Sequence, residues 1–344
     1  MTSARKRIYI AYTGGTIGMA RTERGFQPLA GFLEDKIRSL AEFSRDEMPE
    51  FELHEYQPLL DSSDMTPAQW MQIAADILAH YDRFDGFVVL HGTDTMAYTA
   101  SVLSFMLPDL GKPVIVTGSQ IPLCEPRSDG HDNLLNALYI AAHYPRAEVG
   151  LFFHHRLLRG NRATKINSQG FDAFDSPNCN ALLHAGISIE AGLPELRPLH
   201  NKLPQFNALK SAAVAVVTLY PGIDFSLLQR LLEQPLDGVI LQTFGSGNAP
   251  QNPALMAAFK QTSERGVVLV NHSQCLSGRV DMDSYAGGHA LREAGFVSAA
   301  DMTLEATLTK LHVLLSAPGE RSHVISEARR LMEVPLCGEL SAAK

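Results

Sequence analysis

Gly86-Phe87-Val88-Val89-Leu90 runs straight into His91-Gly92-Thr93-Asp94-Thr95. A strand-length run with no polar alternation describes a strand covered on both faces, as in parallel sheets flanked by helices. The glycine and hydroxyl residues behind it end the strand abruptly. Upstream, Thr66-Pro67-Ala68-Gln69 predicts a helix start: Thr66 caps it, Pro67 suits its first position and Gln69 completes a capping box. Trp70, Ile73, Ala74, Ile77 and Leu78 then share one face of a helix running to about Tyr81. Trp70 reads as a core residue of that face. Arg7–Tyr12, Phe51–Tyr56, Pro113–Thr117 and Val149–His154 read as further strands, and Met96–Leu107 and Asp132–His143 as helices.

This alternation predicts an α/β fold with a largely parallel sheet. The pattern breaks between about Gly186 and Leu209, where Pro194, Pro198 and Pro204 fall among polar residues. A second alternation follows. Strands are expected at Ala212–Leu219, Gly238–Thr243 and Val267–Asn271, and helices at Phe225–Leu232, Pro253–Arg265, Leu304–Ser316 and His323–Met332. The expectation is two α/β domains: a larger N-terminal one over residues 1–186 with a mostly parallel sheet, a linker over 187–210, and a smaller C-terminal one over 211–344. The length of 344 residues agrees, at about 150 residues per domain.

Composition narrows the function. Hydrophobic residues make up 45% and charged residues 19%, the balance of a globular chain. The net charge of −8, without a Lys/Arg block, disfavours nucleic acid as a partner. No apolar run approaches the roughly 20 residues that span a bilayer. The apolar stretch Ile8 to Thr13 is too short for a signal-peptide core, and the four cysteines are far apart, which together predict reduced thiols and a cytoplasmic location.

Several motifs fail on inspection. Thr13-Gly14-Gly15-Thr16-Ile17-Gly18 follows a strand, but Thr16 stands where a dinucleotide fingerprint needs its second glycine, and Arg24-Gly25-Phe26-Gln27-Pro28 behind it reads as loop. Gly245-Ser246-Gly247-Asn248-Ala249-Pro250 has proline where a third glycine belongs. The histidines lack the spacing of known metal sites, and the adjacent His154 and His155 would point to opposite faces of a strand. No metal or cofactor is predicted.

Two loops remain, Thr13-Gly14-Gly15-Thr16 and His91-Gly92-Thr93-Asp94-Thr95, each at the carboxyl end of a strand, where α/β sheets bind ligands. Glycine lets a substrate approach the backbone, and the neighbouring amides can line an oxyanion site. A threonine hydroxyl becomes a nucleophile only beside a base. Asp94 with a nearby lysine would serve, and composition does not say which lysine. The competing reading makes both loops tight turns whose Thr and Asp cap helices.

The segments Tyr12-Thr13-Gly14-Gly15-Thr16-Ile17-Gly18 and Leu90-His91-Gly92-Thr93-Asp94-Thr95-Met96 resemble the two signature motifs of bacterial L-asparaginases. Further stretches resemble the cytosolic, type I branch: Asp61-Ser62-Ser63-Asp64-Met65, Gly118-Ser119-Gln120-Ile121-Pro122, Arg159 through Lys165, and Gly247-Asn248-Ala249-Pro250-Gln251-Asn252. The resemblance runs from about Ile8 to the last helix. It implies hydrolysis of L-asparagine to L-aspartate and ammonia through a threonine acyl-enzyme, with room for minor glutaminase activity. Thr16 matches the nucleophile. Thr93, Asp94 and Lys165 match a hydrogen-bonded group that activates the hydroxyl or the hydrolytic water. Asp61, Ser62 and Ser63, with Thr93 and Asp94, match the substrate-binding positions. No cofactor is implied, and the family's members are homo-oligomers, commonly tetramers built from dimers.

The chain departs from the family's pattern at two positions. Phe26 stands where many members carry a loop tyrosine, so its hydroxyl is missing. Thr164, Gln242, Asn248 and Cys275 match an asparagine effector site of regulated members, but Gln242 replaces an expected arginine and cannot fork onto a carboxylate. Allosteric activation is therefore expected to be weak or absent. Two other readings stay open: an asparagine-binding sensor without turnover, and the amidase subunit of a tRNA-dependent amidotransferase. A sensor loses its nucleophile, whereas Thr16, Asp94 and Lys165 are all present. The amidase subunit carries an extra N-terminal domain, for which a first strand at Arg7 leaves no room.

Overall fold

The computed structural model describes residues 5–23, 25–192, 204–284 and 286–342. The chain divides into two compact α/β units, Met1–Phe206 and Asn207–Lys344.

The larger unit contains β1 (Arg7–Gly14), β2 (Met19–Thr22), β3 (Gly25–Pro28), α1 (Phe32–Ser39), β4 (Glu50–Leu60), α2 (Pro67–Ala79), β5 (Gly86–Leu90), α3 (Met96–Met106), β6 (Val114–Thr117), α4 (Gly130–His143), β7 (Val149–Phe153), β8 (Arg156–Arg159), β9 (Thr164–Lys165), β10 (Phe174–Asp175), β11 (Leu183–Ala185) and β12 (Ile189–Ala191). Its main sheet has the order β12-β11-β8-β7-β6-β5-β1-β4. The pairs β4–β1, β1–β5, β5–β6 and β6–β7 are parallel; β7–β8, β8–β11 and β11–β12 are antiparallel.

The strands β5, β6 and β7, with Thr117 their one polar residue, are buried along their whole length. Alternate residues Ile8, Ile10, Tyr12, Val88, Leu90 and Ile115 pack with Leu134, Ala137, Leu138 and Ala141 of α4 in one core. Each such aliphatic side chain contributes about 1.5–3 kcal/mol on burial. The capping box at α2 is present, with Gln69 Oε1 accepting from the Thr66 N–H at 2.6 Å.

Four expectations are corrected. The segment Arg24–Pro28, read as loop, contributes β3, which pairs antiparallel with β2; strands of four residues are too short to carry a readable alternation. Strand β4 runs four residues past Tyr56 to Leu60, because Gln57-Pro58 interrupts the pattern without ending the strand. His154 and His155 do not lie on a strand. They form the two-residue turn between β7 and β8, at φ of 45° and 65°, and Asn133 Oδ1 accepts from the His154 N–H at 3.1 Å. Finally, β12 lies inside the stretch from Gly186 read as irregular. Much of that stretch, including Pro194 and Pro198, falls outside the described residues.

The smaller unit contains β13 (Val214–Thr218), α5 (Phe225–Leu232), β14 (Gly238–Thr243), α6 (Pro253–Glu264), β15 (Val268–Ser273), α7 (Ala286–Glu293), β16 (Phe296–Ser298), α8 (Leu304–Leu315) and α9 (Arg321–Met332). Its sheet is wholly parallel, in the order β13-β14-β15-β16. Val239, Leu241 and Leu269 pack with Leu255 and Phe259 on one face, and Ile240, Val268 and Val270 pack with Leu311, Ile325 and Ala328 on the other. The sequence reading missed α7, which opens Ala-Gly-Gly, and the three-residue β16. Lys310 and Glu339 form a fully buried ion pair at 2.6 Å near the carboxyl end of the chain.

Candidate active site

Strand β1 delivers Thr13, whose hydroxyl donates to the Leu90 carbonyl at 2.8 Å and ties the ends of β1 and β5 together. The chain then turns through Gly14 and Gly15 at φ of 143° and 93°. Thr16 opens a short 3-10 turn, half-exposed, while the next residue, Ile17, is buried. The Thr16 hydroxyl makes no hydrogen bond among the described residues. Tyr12 supports the turn from below: a Cβ on Gly18 would fall 2.0 Å from its hydroxyl. Burial, aided by the Glu55 charge, raises the Tyr12 pKa, so the phenol stays protonated.

The two signature loops meet backbone to backbone. A Cβ on Gly15 would lie 2.5 Å from the Gly92 nitrogen, and a Cβ on Gly92 would lie 2.3 Å from Ser62 Oγ. Thr16, Ser62 and Thr93 are thus neighbours of one glycine contact.

Around it the remaining groups assemble. Lys165, on the short strand β9, donates to Thr93 Oγ1 at 2.9 Å and to Asp94 Oδ1 at 2.8 Å. The Asp94 side chain is 67% exposed and that of Lys165 only 19%, so the amino group is sheltered while the carboxylate faces solvent. Asp94 does not cap α3; the cap position is Thr95, whose hydroxyl donates to the Ser62 carbonyl at 2.6 Å. Asp61 Oδ1 accepts from both the N–H and the hydroxyl of Ser63, each at 2.9 Å, which shapes the turn carrying Ser62.

Two groups in this cluster had no role assigned from sequence. Gln120, beyond the end of β6, accepts from the Thr93 hydroxyl at 3.2 Å and donates to the Gly170 carbonyl at 3.1 Å. Asp129 holds its loop by accepting from the Gln120 and Ile121 N–H groups at 3.0 Å. The rule that located the other loops, the carboxyl end of a parallel strand, points to Gln120 as well. His91 is buried, with Nδ1 2.7 Å from the Gly92 carbonyl and Nε2 2.9 Å from Thr99 Oγ1. Burial holds its pKa down at about 4, so it is neutral at physiological pH.

Phe26 sits on β3, 42% exposed, with the Arg21 guanidinium 5.3 Å from its ring centre. Arg21 in turn pairs with Glu125 at 2.9 Å. Of the four positions that the resemblance matched to an effector site, Thr164 lies on β9 of the larger unit, next to Lys165. The others belong to the smaller unit. Gln242 is the penultimate residue of β14 and accepts from the Thr218 hydroxyl at 2.7 Å. Asn248 lies in the following loop, bridged to Phe244, and Cys275 follows β15, with its N–H on Ser273 Oγ at 2.9 Å.

Two family models cover most of the chain: Asparaginase, N-terminal over residues 7–194, and Glutaminase/Asparaginase C-terminal domain over residues 213–328. L-asparaginase 1 of Escherichia coli K12 is 55% identical over 337 residues, 98% of either chain. The crystal structure of L-asparaginase I from Vibrio cholerae superposes with a TM-score of 0.90 at 54% identity, covering 98% of this chain and 100% of that one. The thermostable L-asparaginase from Thermococcus kodakarensis superposes at 0.87 with 32% identity over the same shares.

Proposed function

The chain belongs to the asparaginase family, and from that membership we propose how its residues carry out the reaction. The activity is that of an L-asparaginase: L-asparagine and water become L-aspartate and ammonia. Thr16 Oγ attacks the side-chain amide carbon, forming a tetrahedral oxyanion. With Lys165 acting as the neutral amine, the Lys165–Thr93–Asp94 group accepts the hydroxyl proton on Nζ and returns it to the leaving nitrogen, so ammonia departs and a threonine ester remains. Water then attacks the ester, loses its proton to the same group, and releases L-aspartate and Thr16. Backbone N–H groups around Gly15 and Thr93 stabilise the oxyanion in both steps. Asp94 meets the substrate's α-ammonium, and the Asp61-Ser62-Ser63 segment holds its α-ammonium and α-carboxylate.

The observation that carries this reading is the double contact of Lys165 with Thr93 and Asp94, joined to the nucleophile's turn by the packing of Gly15 on Gly92. Purified protein should release ammonia from L-asparagine, and Thr16→Ala should abolish it. Full turnover by Thr16→Ala would overturn the assignment of the nucleophile. Glutamine differs by one methylene, worth about 1–3 kcal/mol of discrimination, so a minor glutaminase activity fits the same site.

The enzyme is a homo-oligomer in this reading. Val216, Tyr220 and Leu227 leave apolar surface exposed in the β13–α5 region of the smaller unit, as a partner-facing surface would. Light scattering on purified protein tests this. A cytoplasmic location is supported by four free cysteines, two of them half-buried and one buried.

A further inference from the structure

The interior side of the His91–Thr95 loop carries a chain of hydrogen bonds that the reaction scheme does not use. Trp70, the single tryptophan of the chain, donates its indole N–H to Thr99 Oγ1 at 3.1 Å. An indole nitrogen only donates, so the Thr99 oxygen accepts here and its own proton is free for His91 Nε2 at 2.9 Å. His91 Nδ1 faces the Gly92 carbonyl at 2.7 Å, an acceptor, and therefore carries the ring's proton. A neutral imidazole has one donor and one acceptor, and both are used. The chain thus has one direction, Trp70 to Thr99 to His91 to the Gly92 carbonyl, and ends on the signature loop.

The Gly92 carbonyl shares its peptide group with the Thr93 N–H. That peptide is trans, since Gln57–Pro58 is the cis bond among the described residues. In a planar trans peptide the carbonyl and the N–H point in opposite directions. Fixing the Gly92 oxygen toward His91 therefore turns the Thr93 N–H away from the core. This N–H has no acceptor among the described residues, although Thr93 is only 9% exposed. Sheltered backbone donors are rarely left unpaired, and such a donor is held open for a ligand atom.

We propose that Trp70, Thr99 and His91 form a positioning relay that sets the direction of the Gly92–Thr93 peptide and so aims the Thr93 N–H at the substrate's reacting carbonyl oxygen. The inference rests on the reading of Thr16 as nucleophile of the same site. An oxyanion donor works by being oriented before charge develops, so cutting the relay costs turnover rather than substrate binding.

The test is steady-state kinetics on the purified full chain, with thermal melts for every variant. His91→Leu removes the donor to Gly92; kcat should fall about tenfold or more, with KM for L-asparagine within twofold of wild type. His91→Asn places an amide N–H where Nδ1 stood, and should recover kcat to within about threefold. Thr99→Val cuts the relay one step from the loop and should lower kcat by about three- to fivefold at unchanged KM. If His91→Leu does not fold, the Asn and Val variants decide. Turnover within twofold of wild type in both His91→Leu and Thr99→Val overturns the relay, as does an Asn variant no better than Leu. Thr16→Ala keeps the two claims apart. Its loss of activity beside a normal His91→Leu sinks the relay alone, whereas its full activity sinks the nucleophile assignment.

Discussion

Gly15 and Gly92 lie backbone against backbone, so close that a Cβ on Gly15 would fall within 2.6 Å of both the nitrogen and the Cα of Gly92. The contact joins the turn that carries Thr16 to the loop that carries Thr93 and Asp94. Gly15 also sits at a φ of 93°, which L side chains rarely adopt. Gly15→Ala therefore meets a steric and a conformational obstacle at once. Ammonia release should fall at least a hundredfold, since a displacement of about 1 Å at a reacting group costs that much. Melting of the variant separates lost geometry from lost folding.

Lys165 contributes both a sheltered amino group and the contact with Thr93. Lys165→Met keeps much of the side chain's bulk and removes the amine. A drop in kcat of about 10²–10⁴ is expected, the range of a lost proton-transfer group. Mass spectrometry after mixing with L-asparagine would show whether the ester on Thr16 still forms. A variant that retains wild-type kcat would exclude the lysine from proton transfer.

Phe26 lacks the hydroxyl that the family resemblance leads one to expect here, so the expectation is reduced turnover or reliance on the Lys165 group. Phe26→Tyr should raise kcat by about tenfold. That is below the ~10² of a fully placed acid–base group, because the ring is half-exposed and lies near Arg21. An unchanged rate would mean that a hydroxyl here is not limiting.

Gln242 is already engaged with Thr218, and it carries no charge with which to fork onto a carboxylate. Plots of rate against L-asparagine concentration should be hyperbolic. A sigmoidal curve that Gln242→Ala flattens would reverse this expectation.

His91 gives stability a pH dependence. Burial lowers its folded pKa from 6.5 to about 4, so between those values the unfolded chain binds the proton more readily. The stabilisation from keeping this ring neutral is complete above about pH 6.5 and declines as pH falls toward 4. At 1.36 kcal/mol per unit its full extent is roughly 3 kcal/mol. Denaturant melts from pH 7 to 4.5 should therefore show a steeper acid loss in wild type than in His91→Asn. Parallel curves would show that the ring is not the group responsible.

Much of the architecture was readable before any coordinates. The buried strands β5, β6 and β7 announce themselves because a strand covered on both faces tolerates no polar alternation. Besides α7, whose Ala-Gly-Gly start hides a helix, much of what escaped was local and short: the β2–β3 hairpin, β16 and the His154-His155 turn. Their pairing comes from neighbours rather than from their own composition. Two histidines at positive φ carry no turn signature, and Asn133, 21 residues away, helps hold them there.

The candidate site divides along the same line. Sequence alone marked the two loops that carry Thr16, Thr93 and Asp94, because a hydroxyl beside glycine at a strand's carboxyl end is a local pattern, and the family resemblance singled out Thr16 as nucleophile. It selected Lys165 only through a family resemblance, since nothing local binds a lysine to a loop 71 residues earlier. Only the folded chain decided that Gly15 packs on Gly92, that Gln120 reaches the Thr93 hydroxyl, and that a buried histidine is wired from Trp70 to the Gly92 carbonyl. Those relations depend on distance and on the direction of individual N–H and C=O groups. Order along a chain carries neither until the sheet and its helices set them.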